Sequence, residues 1–314
     1  MSKNVLLIAG GGTLGTYTAN ELLALGHKVD IICREDKVSD NENLKFYKAE
    51  ITPEYLVEFL KDKHYDGMVN FLHYYTPLDY ADTHKLLIEK TNHLIFLSSY
   101  RVYADEQHPI TENAPKLLDV SSDEKFLETE KYALAKAKLE KFLYEECAGE
   151  NWTVVRPVIS FSKYRFDLVT YFGQDLLNKI KSGATIPLPI DAKNITAGLD
   201  WAGNSGKLIA NLLFKKECIG EAYTVSSAQN LTWGEVAEIY TKLLGAKFEW
   251  VSVDEYRKAT NDFNLYALLY DRLFDRNIDN TKILNATGLK SSDFMSIEDG
   301  IKYELQLKEA ETIL

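Results

Sequence analysis

Val5 to Ala9 is an apolar run without alternation, and it runs directly into Gly10-Gly11-Gly12-Thr13-Leu14-Gly15. Apolar character on both sides of a short strand means burial on both faces. A helix is expected from Thr16 to Leu25, with Ala19, Leu22 and Leu23 on one side and Gly26 as its C′ residue. The next strand is expected over Val29 to Cys33. Glycines between a buried strand and a helix permit a tight turn and bring backbone close to an anionic group. The helix N-terminus then offers free N–H groups and a partial positive charge. No other feature of the chain restricts its fold as strongly.

The rhythm repeats. Strands are expected at Leu44 to Tyr47, Met68 to Leu72, Leu94 to Ser98 and Trp152 to Arg156. Helices are expected at Pro53 to Lys61, Asp79 to Glu89 and Glu128 to Cys147. Alternation of this kind gives an α/β fold, a Rossmann-type doubly wound parallel sheet with helices on both faces. After Pro157 the pattern becomes mixed. The segment Ile186-Pro187-Leu188-Pro189-Ile190 reads as a loop or an edge strand, because proline cannot donate to a ladder. A helix from Ala202 to Phe214 and a strand at Ala222 to Val225 are expected to return to the sheet. Thr232-Trp233-Gly234-Glu235 is a capping box, and Ser296 to Asp299 is a second one with aspartate in place of glutamate. The expected division is a dinucleotide-binding domain over residues 1–156 and 196–226, with a smaller substrate lobe over 157–195 and 227–314.

Composition narrows the function classes. The 314 residues are 46% hydrophobic and 26% charged, an ordinary balance for a packed protein. The net charge of −11 disfavours nucleic acid as a partner. Cys33, Cys147 and Cys218 form neither a disulfide framework nor a metal-like cluster in sequence, and the six histidines are scattered, so no metal site is expected. The first residues lack the long apolar stretch of a signal peptide or a membrane span, and a cytoplasmic location is the expectation.

The glycine loop in its strand–helix context points to a dinucleotide. An acid at the end of the second strand would bind the ribose of NAD, but Cys33-Arg34 stands there, with Asp36 nearby. Arg34 suits a 2′-phosphate, so NADP is preferred over NAD.

Taken in order, the motifs resemble the short-chain dehydrogenase/reductase superfamily, in its extended and atypical branches of NAD-dependent epimerase/dehydratase type. The G-x-x-G-x-x-G of that family falls on Ala9, Gly12 and Gly15, so alanine takes the first glycine position. Val69 to Leu72 with Thr76-Pro77 resembles members related to chloroplast stem-loop-binding proteins. Ser98-Ser99-Tyr100-Arg101-Val102-Tyr103, Pro109 to Pro115, Tyr132-Ala133-Leu134-Ala135-Lys136, Arg156-Pro157, Leu231 to Trp233 and Asp279 to Lys282 match further family segments. The His-Val-x-Asp-Val-Ala segment falls on Trp201 to Gly206, where its histidine and acid are replaced.

Tyr132 and Lys136 are four apart on an expected helix and face the same way. An ammonium beside a tyrosine favours the phenolate, which suits acid/base work. The resemblance adds Ser99 as the hydroxyl on the substrate oxygen and assigns Lys136 to the nicotinamide ribose as well. It implies coenzyme contacts at Gly10, Gly11, Gly12, Thr13, Leu14, Gly15, Arg34, Glu50, Leu72, Tyr132 and Lys136. Tyr103 stands where the family often has a tyrosine near the nicotinamide, Arg156 reads as structural, and His73 follows the fourth strand near the coenzyme. Tyr164, Phe166, Tyr171 and Phe172 suit either stacking on a ligand or the core of the small lobe.

The expected activity is hydride transfer at a hydroxyl or carbonyl carbon by an epimerase, dehydratase or reductase, on a small-molecule substrate such as a nucleotide sugar. The alternatives are a non-catalytic NADP(H)-binding regulator and, behind it, an RNA-binding protein. No membrane partner is expected, and the resemblance allows a homodimer.

Overall fold

The computed structural model describes residues 1–313; residue 314, the last of the expected small lobe, lies outside them. Seven strands form the main sheet. They are β1 (Asn4–Ile8), β2 (Lys28–Cys33), β3 (Leu44–Lys48), β4 (Gly67–Asn70), β5 (Leu94–Leu97), β6 (Trp152–Pro157) and β7 (Ala222–Val225). All pair in parallel, in the order β7-β6-β5-β4-β1-β2-β3. Val5 lies opposite both Val29 and Gly67, so β1 is central. The strand order reverses between β1 and β4, and in such sheets ligands bind beyond the carboxyl ends of the strands at that reversal.

The lack of alternation in β1 has a direct structural counterpart. Val5 and Leu7 pack with Ala19 and Leu22 of helix α1 (Thr13–Ala24) and with Leu208, Ile209 and Leu212 of a later helix, Ala202–Leu212. Leu6 and Ile8 face the opposite layer. They pack there with Leu56 and Leu60 of α2 (Pro53–Leu60), Tyr80 and Leu87 of α3 (Pro77–Glu89), and Leu139 and Leu143 of α4 (Ala133–Glu146). Successive side chains of a strand point to opposite faces, so a strand between two helical layers must be apolar throughout. Ala222–Val225 pairs with Trp152–Pro157 and so returns the chain to the sheet.

The long helix expected from Glu128 to Cys147 is broken. A short helix covers Glu124–Thr129, and α4 begins only at Ala133. The cause is Glu130, whose carboxylate accepts from the backbone N–H groups of Tyr132 (2.9 Å) and Leu134 (3.0 Å) and so caps a new helix start. Tyr132 is the N-cap residue of α4 rather than an interior position.

In the smaller lobe, Thr185–Pro189 and Lys247–Val251 form a two-stranded parallel pair. Both strands are edges, which accommodates Pro187 and Pro189. Trp233, Tyr240, Tyr256, Leu176 and Phe166 are buried in this lobe's core. The four aromatic residues near 170 separate: Phe166 and Tyr171 are buried, whereas Tyr164 and Phe172 are exposed. The capping box at Thr232 forms in full, whereas Ser296 caps the Asp299 N–H and gives its hydroxyl, not its backbone N–H, to the Asp299 carboxylate.

Candidate active site

The glycine loop is shaped by close packing at three of its glycines and by open space at the fourth. A Cβ on Gly15 would fall 2.2 Å from the carbonyl oxygen of Gly10, so only glycine lets α1 come this near the loop. A Cβ on Gly10 would meet Leu7, and one on Gly11 would meet Cys33, each at 2.7 Å. Gly12, the N-cap of α1, has nothing within 4 Å of that position. Ala9 adopts φ 57°, the left-handed region that favours glycine. This explains why glycine suits the position and shows that alanine occupies it under strain.

A cleft of about 470 Å³ starts at this loop. Ala9, Gly12, Thr13, Leu14 and Gly15 line it, together with Ser98, Ser99 and Tyr132 and with Arg101, Arg165 and Arg272. The Thr13 and Ser162 hydroxyls, 3.0 Å apart, tie the loop to that lobe. Gly10 and Gly11 support the loop from behind and do not line the cleft. Arg34 and Glu50 lie outside it and are exposed. Leu72 is half-buried against the α2–α3 layer. One residue the sequence reading passed over is Glu35, whose Oε2 lies 2.7 Å from where a Gly11 Cβ would be. Lys37 is another, since its Nζ donates to the Gly11 carbonyl at 2.7 Å.

The two serines after β5 divide their work. Ser98 donates to Glu140 at 2.5 Å, inside a buried group that includes Arg156 and Lys116. Burial raises the Glu140 carboxyl, but Arg156 and Lys116 outweigh it and hold the group down at about 2. Arg156 is thus structural. Tyr103 is fully buried with its hydroxyl between Thr224 and Arg156, so it packs beneath the site and does not reach the coenzyme region. Ser99 accepts only the Arg101 N–H, at 3.3 Å, and lines the cleft.

Tyr132 stands at the cleft wall, half-covered by two neighbours. The His73 ring stacks on it with centroids 5.4 Å apart, and the Arg101 guanidinium lies 5.1 Å from its centroid. Lys136 is buried one turn further on, and its Nζ donates to the carbonyl of Leu97 at 2.6 Å. Burial lowers this ammonium to about 8, with Glu140 acting in the opposite direction. His73 is likewise lowered, first by burial and then by Lys136. Its Nδ1 is buried without a hydrogen-bond partner.

Three arginines line the cleft, each beside a carboxylate, with Glu130 3.7 Å from Arg101. Asp271 accepts from Tyr100 at 2.9 Å and Arg276 at 3.1 Å, pairs with Arg272, and lies 3.6 Å from Arg101. Arg165 clasps Asp167 through two nitrogens, and this pairing outweighs burial to hold the guanidinium up. Among the described residues, three arginines and no carboxylate line the cleft.

Just before the replaced segment Trp201 to Gly206 stands Asp200, fully buried, accepting from the Asn204 side chain at 2.8 Å and from the Ser227 N–H at 2.6 Å. Asn204 in turn bridges to the backbone of Met295. Burial raises the Asp200 carboxyl to about 6, against the opposing effect of these hydrogen bonds.

The fold has counterparts among solved structures. No curated protein sequence matches the chain. Among solved structures, epimerase Mth375 from Methanothermobacter thermautotrophicus has a TM-score of 0.72 at 16% identity, with 96% of this chain and 91% of that one covered. The Bordetella bronchiseptica enzyme WbmG, in complex with NAD and UDP, has a TM-score of 0.71 at 14% identity, with 99% and 96% covered. UDP-glucose-4-epimerase from Stenotrophomonas maltophila, with bound NAD and formylated UDP-arabinopyranose, has a TM-score of 0.72 at 14% identity, with 99% of each chain covered. At these identities the likeness is one of fold. Residues 6–195 match a sequence family directly, and the chain belongs to the NAD dependent epimerase/dehydratase family.

Proposed function

We propose that the protein is an NAD(P)-dependent epimerase/dehydratase or reductase that transfers a hydride at a hydroxyl or carbonyl carbon of a nucleotide sugar. The observation that carries this reading is the single cleft joining the glycine loop to Ser99 and Tyr132 and then to three arginines. A bound nicotinamide supplies the hydride chemistry. The free N–H groups at the start of α1 and the open face of Gly12 fit a pyrophosphate. Ser99 holds the substrate oxygen, and Tyr132 takes or returns its proton. Lys136, anchored on Leu97, would supply a positive charge to the tyrosine and the nicotinamide ribose. Arg101, Arg165 and Arg272 suit a diphosphate, and the NAD- and UDP-bound relatives support that substrate class.

The presence of Ser99, Tyr132 and Lys136 together favours catalysis over a purely coenzyme-sensing role. The net charge of −11 and the lack of a basic, aromatic-interleaved tract in the sequence argue against RNA binding, and the comparisons give no support to a relation to chloroplast stem-loop-binding proteins. A homodimer is the assembly this reading implies, and light scattering measures it.

The test is turnover of a nucleotide-sugar panel with NAD(H) and NADP(H). Tyr132→Phe is expected to lower kcat by roughly 10²–10⁴-fold. Full activity of that variant, or binding of neither coenzyme by calorimetry, would overturn the reading.

A further inference from the structure

No metal site is legible in the sequence because His84 stands far along the chain from Cys147 and Glu150. The fold gathers three of them at the opposite end of α4 from Tyr132. His84 comes from α3, Cys147 is the C-cap of α4, and Glu150 follows in the turn before β6. Their Nε2 or Nδ1, Sγ and carboxylate atoms all lie within 4.8 Å of one another. His84 and Cys147 are buried, while the Glu150 side chain is 42% exposed, so the cluster opens to solvent on one side only.

We propose that His84, Cys147 and Glu150 form a binding site for a zinc-class divalent cation, with solvent as the fourth ligand. Imidazole, thiolate and carboxylate are the donor types that zinc takes in tetrahedral sites. Bond lengths of about 2.0–2.3 Å in a tetrahedron put ligand atoms roughly 3.3–3.8 Å apart. On binding, the His84 Nε2 to Glu150 oxygen distance of 2.6 Å would widen to that spacing, and the thiol, within 4.8 Å of both, would adjust to it. Three features hold the donors ready. Tyr80 hydroxyl bonds His84 Nδ1 at 3.1 Å, which leaves Nε2 directed at the cluster and acts as its outer support. The indole N–H of Trp152 donates to the Cys147 carbonyl at 2.7 Å, and the Glu150 N–H closes the turn onto the same carbonyl at 3.3 Å.

Without a cation the thiol is a poor ligand. Burial, and then the Glu150 and Glu146 charges, push it up to about 11. Binding replaces the thiol proton, which leaves to solvent, and the bound cation stabilises the thiolate in its place. The site would clamp α3 to the end of the helix that carries Tyr132 and Lys136. It takes no part in hydride transfer and does not rest on the substrate reading above.

The experiment uses the full chain stripped of metal and titrated with Co²⁺, then with Zn²⁺ against a chromophoric chelator. One equivalent of Co²⁺ is expected to give a thiolate-to-cobalt charge-transfer band that Cys147→Ser abolishes. Zn²⁺ affinity is expected to fall by at least about tenfold in His84→Gln and in Glu150→Gln, and Zn²⁺ is expected to raise the Tm of the parent chain but not of Cys147→Ser. Glu150 is partly exposed, so its variant keeps the test valid where His84→Gln folds poorly. Absence of the charge-transfer band, or equal Zn²⁺ affinity in the parent chain and Cys147→Ser, would overturn the proposal.

Discussion

The rings of His73 and Tyr132 are stacked, with planes 21° apart and centroids separated by 5.4 Å. His73 comes from the end of β4 and Tyr132 from the cap of α4, so the contact fixes the proposed acid/base between two elements. Ring pairs of this kind are worth about 0.5–1.5 kcal/mol, or roughly 2- to 10-fold in rate if felt only in the transition state. His73→Ala is therefore expected to lower kcat within that range, and His73→Phe to retain most of it by keeping the stack. Steady-state kinetics on both variants decide the point. Equal kcat for the parent and His73→Ala would show that the stack does not position the tyrosine.

Ala9 holds a left-handed backbone at φ 57° immediately before the glycine loop. A Cβ in that region costs about 1–2 kcal/mol, part of which glycine gives back through its freer unfolded chain. Ala9→Gly is expected to raise stability by about 0.5–1 kcal/mol in urea denaturation, without weakening coenzyme binding. A lower midpoint for the variant would mean the loop is not strained there.

Two side chains of opposite sign follow β2. Arg34 is exposed and suits a 2′-phosphate, while Glu35 lies against Gly11 and suits a ribose hydroxyl. Replacing Arg34 with Ala should weaken NADP(H) more than NAD(H), by about 10-fold or more for a charge-assisted pair. Glu35→Gln should shift the ratio the opposite way. Calorimetry with both coenzymes measures each change, and equal losses for the two coenzymes in Arg34→Ala would remove that residue from the discrimination.

Asp200 is buried at the junction of the lobes with its carboxyl raised to about 6 from an ordinary 3.8. Between those values the folded state binds more protons than the unfolded one, so stability falls as pH rises. The protonated carboxyl's contribution is whole below about 4 and lost through about 6, a loss on the order of 3 kcal/mol. Urea midpoints of the parent chain and Asp200→Asn, taken at several pH values from 4 to 7, are expected to diverge over this window, the parent losing stability relative to the variant. Parallel curves would show that Asp200 is ionised throughout.

Local sequence determined the framework. The uniformly apolar β1, the glycine loop and the alternation of strands and helices were enough to give the parallel sheet, because burial on both faces and a tight strand–helix turn are properties of neighbouring residues. The return of Ala222–Val225 to the sheet and the caps at Thr232 and Ser296 were legible for the same reason. Tertiary structure decided what the framework carries. Ser98 and Ser99 are indistinguishable as sequence, yet one is committed to Glu140 and the other faces the cleft. Glu130 interrupts the expected long helix and puts Tyr132 at a cap, an effect of one carboxylate choosing two backbone N–H groups. Arg101, Arg165 and Arg272 converge from three distant segments, and His84 is brought to Cys147 and Glu150 from a distant one. Such convergence depends on how the layers pack and which polar groups burial forces to find partners, and no local periodicity encodes either.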